Sequence, residues 1–253
     1  MIRTVMMLTF WGVLLPAAAL VCFPWTIITG DIRFLYRVGM WGAFTGVRLA
    51  GVKVQTVGRD KLKTGRTYVF MANHASVLDP PLLLPLLPGR TSVMAKKELF
   101  NYPILGKVMK LGSLVPVDRG DRDAGIAAVR AAEEVIGQGI SMTIFVEGKR
   151  SLDGKLLPFK KGPFYLATEC NVPVVPVTVL GTHSIMPKHR FAIRPGTATV
   201  IFHDPIEAKD FGSRECLMSK VRQAISGGLA PEYQEETPQT TKDAKFHEGT
   251  ASA

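Results

Sequence analysis

The sequence predicts an α/β protein with an apolar helical segment at its amino end. Three observations predict it. Apolar runs of strand length, residues 66–72, 141–144 and 171–177, alternate with stretches such as 121–138 and 213–225, where apolar residues recur at helical spacing. Between Thr4 and Gly30 no residue is charged. Polar and charged residues gather where the apolar runs end, which makes one rim of the sheet a binding site.

The chain has 253 residues, enough for one substantial core with an appended segment, and no internal repeat is evident. The expected organisation is a membrane-associated helical segment over 1–50, an α/β domain over 51–230, and a polar, disordered tail over 231–253. At about 1.5 Å per residue, a helix over 4–30 exceeds the ~30 Å hydrocarbon core of a bilayer. Pro16 and Pro24 interrupt it, so they either kink a span or turn it into a shallow re-entrant segment. After Asp31, Arg33 and Arg37 a second apolar stretch, 38–47, sets Gly42 and Gly46 as a small-xxx-small pair suited to close helix contact. Together these read as a helical hairpin dipping into one leaflet.

A cleaved signal peptide is the competing reading, since Arg3 precedes the apolar run and Ala17-Ala18-Ala19 resembles a cleavage site. Against it, the run continues to Ile28, and Arg33, Arg37, Arg48, Lys53, Arg59, Lys61, Lys63 and Arg66 accumulate just afterwards. By the positive-inside rule that density places the following domain in the cytoplasm.

The next elements carry the chemistry. Residues 66–72 form a short buried strand, and Asp79-Pro80-Pro81 before Leu82-Leu83-Leu84 starts a helix, with Asp79 as N-cap and proline in the first turn. His74, in Asn73-His74-Ala75-Ser76-Val77-Leu78-Asp79, therefore falls in a strand-to-helix turn. If the loop folds back, Asp79 accepts one imidazole N–H and leaves the other nitrogen as a base. Alternatively Ser76 caps the turn and Asp79 only caps the helix.

Residues 111–120 are an apolar run ending in Asp118-Arg119, followed by a helix over 121–138 with Ile126, Val129, Glu133 and Ile136 along one side, a thin buried stripe continuous with Ala132 and Val135. A strand over 141–144 leads into Phe145-Val146-Glu147-Gly148-Lys149-Arg150-Ser151. Gly148 there permits positive φ, Arg150 offers a planar fork for phosphate oxygens, and Glu147 either orients Arg150 or binds a substrate hydroxyl. A solvated charged turn is the bland alternative. A helix over 162–170, the proline-punctuated run 171–177, a strand over 197–202 and a helix over 213–225 complete the core.

These blocks resemble those of the 1-acyl-sn-glycerol-3-phosphate acyltransferases of the glycerolipid acyltransferase superfamily, in order. NHxxxxD stands at 73–79, a Gly-to-Arg block at 112–119, a variant of FPEGTRS at 145–151, and the Val-Pro block at 172–177. Residues 95–99 and 159–164 are similar too, and the resemblance spans roughly 35–205. It implies a mixed sheet flanked by helices, with a two-helix membrane anchor. Val146 stands where the family usually has proline and Lys149 where it has threonine, which loosens the turn's preset φ and adds a cation.

The resemblance further implies that His74, oriented by Asp79, is the general base for acyl transfer to the sn-2 hydroxyl of lysophosphatidic acid. Arg119 and Arg150, then Lys96 and Lys97, bind the phosphate, and Glu147 and Gly148 shape the acceptor site. The donor is acyl-CoA or acyl carrier protein, with no cofactor and no metal. Other acceptors, glycerol 3-phosphate or lyso-ornithine lipid, fit the same His-Asp chemistry, and a non-catalytic anionic-lipid-binding module is the alternative outside enzymes. A lipid hydrolase fits poorly because neither Ser76 nor Ser151 lies in a G-x-S-x-G elbow.

Charge and cysteine content agree with this. The formal net charge is +10 and the sequence pI about 9.7, which calls for an anionic partner such as membrane lipid, an acidic carrier protein or nucleic acid. No zinc-type cysteine pair, basic recognition helix or RNA-binding aromatic signature is present, which sets nucleic acid aside. Cys22, Cys170 and Cys216 outline neither a disulfide framework nor a metal site. The expected location is a membrane, the bacterial inner membrane, with the active site on its cytoplasmic face.

Overall fold

Seven strands make one mixed sheet in the order β1-β7-β6-β2-β5-β3-β4. The computed structural model describes residues 1–118 and 122–234. The strands are β1 Val52–Val57, β2 Val69–Ala72, β3 Thr91–Lys96, β4 Val115–Val117, β5 Ser141–Phe145, β6 Val174–Leu180 and β7 Gly196–Phe202. All neighbours pair in parallel except β6 with β7. Parallel neighbours need crossover connections, and the helices that supply them cover both faces.

The helices are α1 Ile2–Thr29, α2 Arg33–Leu49, α3 Asp79–Leu83, α4 Pro103–Leu111, α5 Arg122–Gly137, α6 Gly162–Glu169, α7 Thr182–Ile185 and α8 Arg214–Gly228. Alternation along β2 divides the core between the two faces. Tyr68, Phe70 and Ala72 meet α2 and α3 on one side, while Val69 and Met71 meet α5, α6 and α8 on the other. Phe70 and Met71 are both fully buried, and each contributes roughly 2–3 kcal/mol of transfer free energy. Ser213 starts α8 by accepting the Cys216 N–H at 3.2 Å, which satisfies one of that helix's orphan donors.

The amino segment departs from one expectation. Pro16 and Pro24 lie inside a single 28-residue helix and do not interrupt it. The small-xxx-small pair packs as read: a Cβ at Gly42 would sit 2.2 Å from Leu14 Cδ2, and one at Gly46 2.2 Å from Trp11 Nε1. Trp11 Nε1 donates to the Gly42 carbonyl at 3.0 Å. Helix α2 is tied to the domain at both ends. Near its start the Tyr36 hydroxyl accepts the Thr91 N–H at 3.1 Å, and near its end Val47 and Ala50 are fully buried in the core. The outer face of α1 stays exposed along its length at Val5, Leu8, Val13, Leu20, Trp25 and Ile28.

At the carboxyl end, Pro231–Tyr233 forms a 3-10 turn, where a disordered tail was expected to begin. The Tyr233 ring packs against Gly154, since a Cβ there would lie 2.7 Å from it. The expected tail from 235 onward lies outside the described residues.

Candidate active site

The central parallel pair β2 and β5 places two sequence blocks side by side, because their register sets Ala72 opposite Phe145. Residues 73–79 and 146–151 thus leave the same carboxyl rim, where open α/β sheets bind ligands. The Val146 N–H donates to the Ala72 carbonyl at 3.1 Å and adds one more rung to the pair. A proline at 146 has no N–H to make that bond, so valine trades a preset φ for a hydrogen bond.

His74 sits between three supports. Its Nδ1 lies 2.7 Å from Asp79 Oδ2, its ring stacks on Phe145 at 4.2 Å between centroids, and its backbone is held from both sides by the second block. Glu147 Oε1 accepts the His74 N–H at 2.6 Å, and the Ser151 N–H donates to the His74 carbonyl at 2.8 Å. Nδ1 therefore carries the proton that faces Asp79, leaving Nε2 with a lone pair. Nε2 has no hydrogen-bond partner among the described residues and is not sealed from solvent, although His74 as a whole is only 7% exposed.

Asp79 is fully buried, and one oxygen accepts three donors. Oδ2 receives His74 Nδ1–H, the Ala75 N–H at 2.8 Å and the Ser76 N–H at 2.8 Å, while Oδ1 is sealed with no partner. This corrects the N-cap expectation. Leu78 is the N-cap of α3, Asp79 is its first residue, and the carboxylate turns back over the preceding loop. The N-capping geometry and the imidazole compete for the same carboxylate, and the three converging donors win. Ser76 does cap the turn, accepting the Leu78 N–H at 3.2 Å, and its hydroxyl donates to the Met186 carbonyl at 2.8 Å. Ser76 is fully buried and its hydroxyl is doubly engaged, with no base among the described residues bonded to it.

Glu147 also differs from expectation. It neither orients Arg150 nor faces a substrate hydroxyl, because Oε1 holds the His74 N–H and Oε2 holds the Leu157 N–H at 2.8 Å. It is a positioning residue that ties the His74 turn to residue 157. Burial pushes its carboxyl up to about 7, against the pull of the two N–H bonds, and the nearby Asp79 charge adds to the rise. Gly148 takes φ 71°, as read from the sequence, and the Lys160 stem lies over it, 3.3 Å from where a Cβ would be.

The cations are less concentrated than expected. Arg150 is half-buried, and no carboxylate among the described residues pairs with its guanidinium. Lys96 and Lys97 stand exposed at the end of β3, engaged by Glu98 at 3.1 Å and by Asp118 respectively. Arg119 lies outside the described residues. Among the described residues no three His, Cys, Asp or Glu side chains converge as metal ligands.

Two supporting residues carried no assigned role in the sequence reading. Asn73 bridges to β6 as a peptide would, donating Nδ2–H to the Val179 carbonyl at 3.0 Å and accepting the Val179 N–H at 2.7 Å. Phe145 is the other. The place of Asn73 beside His74 in the motif was the available signal; Phe145 carried none that periodicity separates from core packing. On the opposite face of the sheet, a cavity of about 1020 Å³ reaches Phe145 and Gly148 from between α5, α6 and α8. Its floor is apolar, with Met94, Val129, Ile144 and Phe164, and its rim carries Lys160, Lys161, Glu133 and Glu215.

Comparison with known proteins bears on this arrangement. The sequence profile of the family described as Acyltransferase matches residues 53–180. A 1-acyl-sn-glycerol-3-phosphate acyltransferase of Limnanthes alba is 33% identical over 202 residues, covering 79% of this chain and 69% of the relative. One from Cocos nucifera is 37% identical over 144 residues, 56% of this chain and 47% of the relative. The crystal structure of the 1-acyl-sn-glycerophosphate (LPA) acyltransferase PlsC from Thermotoga maritima superposes with a TM-score of 0.73 at 26% identity, covering 90% of this chain and 95% of that one.

Proposed function

The chain belongs to the acyltransferase family, and from that premise we propose that it transfers a fatty acyl group from a thioester to the sn-2 hydroxyl of 1-acyl-sn-glycerol 3-phosphate, giving phosphatidic acid. The observation that carries this reading is the His74–Asp79 pair, buried and bonded at 2.7 Å, with His74 Nε2 left open at the sheet rim. The acceptor is the one named for the relatives.

In the reaction His74 Nε2 takes the proton from the sn-2 hydroxyl as that oxygen attacks the thioester carbonyl. Asp79, already accepting Nδ1–H, stabilises the imidazolium that forms. The tetrahedral intermediate then collapses, the carbon–sulfur bond breaks, and the departing thiolate recovers the proton from Nε2–H. No acyl-enzyme is required, because the thioester is already activated. The Ala75 and Ser76 N–H groups are spent on Asp79, so the oxyanion must draw its donors from elsewhere. Arg150 is the phosphate ligand best supported by the geometry, being half-buried, two residues past the Gly148 turn and without a competing carboxylate among the described residues. Arg119 joins it on sequence grounds.

The acyl donor is acyl-CoA or acyl carrier protein. The apolar floor of the cavity behind Phe145 suits a fatty chain, and its rim mixes lysines with glutamates, which favours neither donor. The amino segment anchors the enzyme in one leaflet. A helix of 28 residues is long enough to cross a bilayer, but α1 packs along α2, and α2 is fastened to the domain at both ends, so the pair lies against the protein. The cations between Arg33 and Arg66 support a cytoplasmic catalytic face.

The test is acyl transfer by the purified full chain, presented with 1-acyl-sn-glycerol 3-phosphate, glycerol 3-phosphate and lyso-ornithine lipid, each with acyl-CoA and with acyl carrier protein. His74→Ala is expected to abolish turnover. Retention of substantial activity by that variant, or an acyl group trapped on Ser76 after rapid quenching, would show the assignment to be wrong.

A further inference from the structure

Residues 187–194, between α7 and β7, are a cationic excursion with an exposed aromatic at its centre. Phe191 is 85% exposed, the highest value among the large hydrophobic residues described beyond Thr29. Around it stand Lys188, His189, Arg190 and Arg194, and from Cys170 to His203 the chain has no acidic residue. None of Lys188, Arg190 or Arg194 has an ion-pair partner among the described residues. An apolar ring flanked by cations without carboxylate partners is the composition favoured where headgroup phosphates meet acyl chains.

The excursion is built into the rest of the molecule. The Ile193 N–H donates to Thr4 Oγ1 at 2.9 Å, which fastens it to the first turn of α1, whose outer face is the apolar surface of the protein. The Arg194 N–H donates to the Ile185 carbonyl at 2.9 Å, and His189 holds φ 70°, so the segment is a fixed turn. Beside it, Arg3, Arg48 and Lys53 line a cavity of about 520 Å³ around Gly51, whose carbonyl accepts the Gly196 N–H. At its other end the excursion touches the catalytic turn: the Met186 carbonyl takes the Ser76 hydroxyl, and Lys188 Nζ donates to the Arg150 carbonyl at 3.4 Å.

We propose that residues 187–194 are a second membrane-contact element, docking on an anionic lipid surface with Phe191 inserted at the headgroup level and Arg190 and Arg194 against lipid phosphates. The proposal rests on the reading of α1 as membrane-associated and adds a contact on the catalytic side of it. Docking there fixes the rotation of the domain about α1, so that the rim holding His74 and Arg150 faces the lipid from which a lysophospholipid acceptor arrives.

The experiment uses the full chain with Cys22→Ala and Cys170→Ala, carrying a nitroxide either on native Cys216, exposed on α8 across the sheet, or at Phe191→Cys with Cys216→Ser. Each protein is bound to vesicles of phosphatidylcholine with and without phosphatidylglycerol, and accessibility to oxygen and to a water-soluble nickel chelate is measured by power saturation. With phosphatidylglycerol present, the label at 191 is expected to be shielded from the chelate and open to oxygen, while the label at 216 stays open to the chelate. Adding Arg190→Ser and Arg194→Ser lowers the docked-to-undocked ratio about 30-fold, at roughly fivefold per basic residue beside an anionic leaflet. Equal chelate access at 191 and 216 overturns the proposal. Shielding that persists without phosphatidylglycerol and without the arginines overturns the anionic-surface part of it. No turnover is measured, so failure of the acyltransferase reading leaves this result standing, and the converse also holds.

Discussion

Asp79→Asn tests the dyad with little change of shape. The wild-type carboxylate oxygen Oδ2 takes three donors, and the substitution can keep an oxygen in that position while removing the charge. At the 2.7 Å separation of His74 Nδ1 and Asp79 Oδ2, a full charge pair is worth about 6 kcal/mol at an effective dielectric of about 20. That ceiling applies only when His74 is an imidazolium, which the proposed mechanism makes it in the transition state, so the loss falls on kcat. Since about 5 kcal/mol is a 10⁴-fold change in rate, kcat is expected to drop roughly 10³–10⁴-fold with KM little changed. Stability falls as well, by about 2–3 kcal/mol, as three charge-assisted bonds become neutral ones and the amide nitrogen enters the sealed Oδ1 site without a partner. The assay is thiol release from acyl-CoA in the presence of 1-acyl-sn-glycerol 3-phosphate, alongside thermal unfolding. A folded Asp79→Asn protein within tenfold of wild-type kcat would refute the reasoning. So would a further large loss on adding Asp79→Asn to His74→Ala, because the two side chains are held to act as one unit.

Other expectations follow from the same geometry. Glu147 has a folded pKa of about 7, above its ordinary 4.5, so the native state holds its proton more tightly than the unfolded chain does. The associated stability is present in full below pH 4.5 and is lost as pH rises through about 7, amounting to about 3 kcal/mol in all. Denaturant titrations at a series of pH values should find that component in the wild type and not in Glu147→Gln, which in turn leaves either the His74 or the Leu157 N–H facing an amide donor. Ser76→Ala is expected to keep activity within about threefold while losing roughly 1–2 kcal/mol from its two hydrogen bonds, as read by steady-state rates and urea unfolding. Asn73→Ala strands the buried N–H and carbonyl of Val179 and should cost roughly 2–4 kcal/mol, again by urea unfolding, with kcat lowered because the His74 turn loses its tie to β6.

Local patterns in the sequence were enough to reveal the α/β class, the helices over 121–138 and 213–225, the strands flanking both motif blocks and the candidate pair His74 and Asp79. Each of these depends on short-range periodicity or on a motif contained in a few residues. Strands β1 and β3 fall outside the apolar runs for a physical reason. Edge strand β1 reads Val52-Lys53-Val54-Gln55 because much of it faces solvent, and β3 begins Thr91-Ser92, whose hydroxyls are buried by hydrogen bonds that local sequence does not display. The continuity of α1 through Pro16 and Pro24 is likewise not displayed by local sequence, in which both prolines read as breaks.

Within the site, the residue types were legible and their partners were not. A carboxylate beside an imidazole reads from spacing. That Glu147 serves the His74 backbone in place of a ligand and that Lys97 meets Asp118 depend on residues brought together from different strands, whereas the three donors on Asp79 Oδ2 and the Lys96–Glu98 pair are local and turn on how each loop folds. Chemical capacity belongs to the amino acids themselves and travels with the sequence. Which donor meets which acceptor is set by the register of β2 against β5 and β6, a long-range pairing whose choice depends on the burial of the whole sheet.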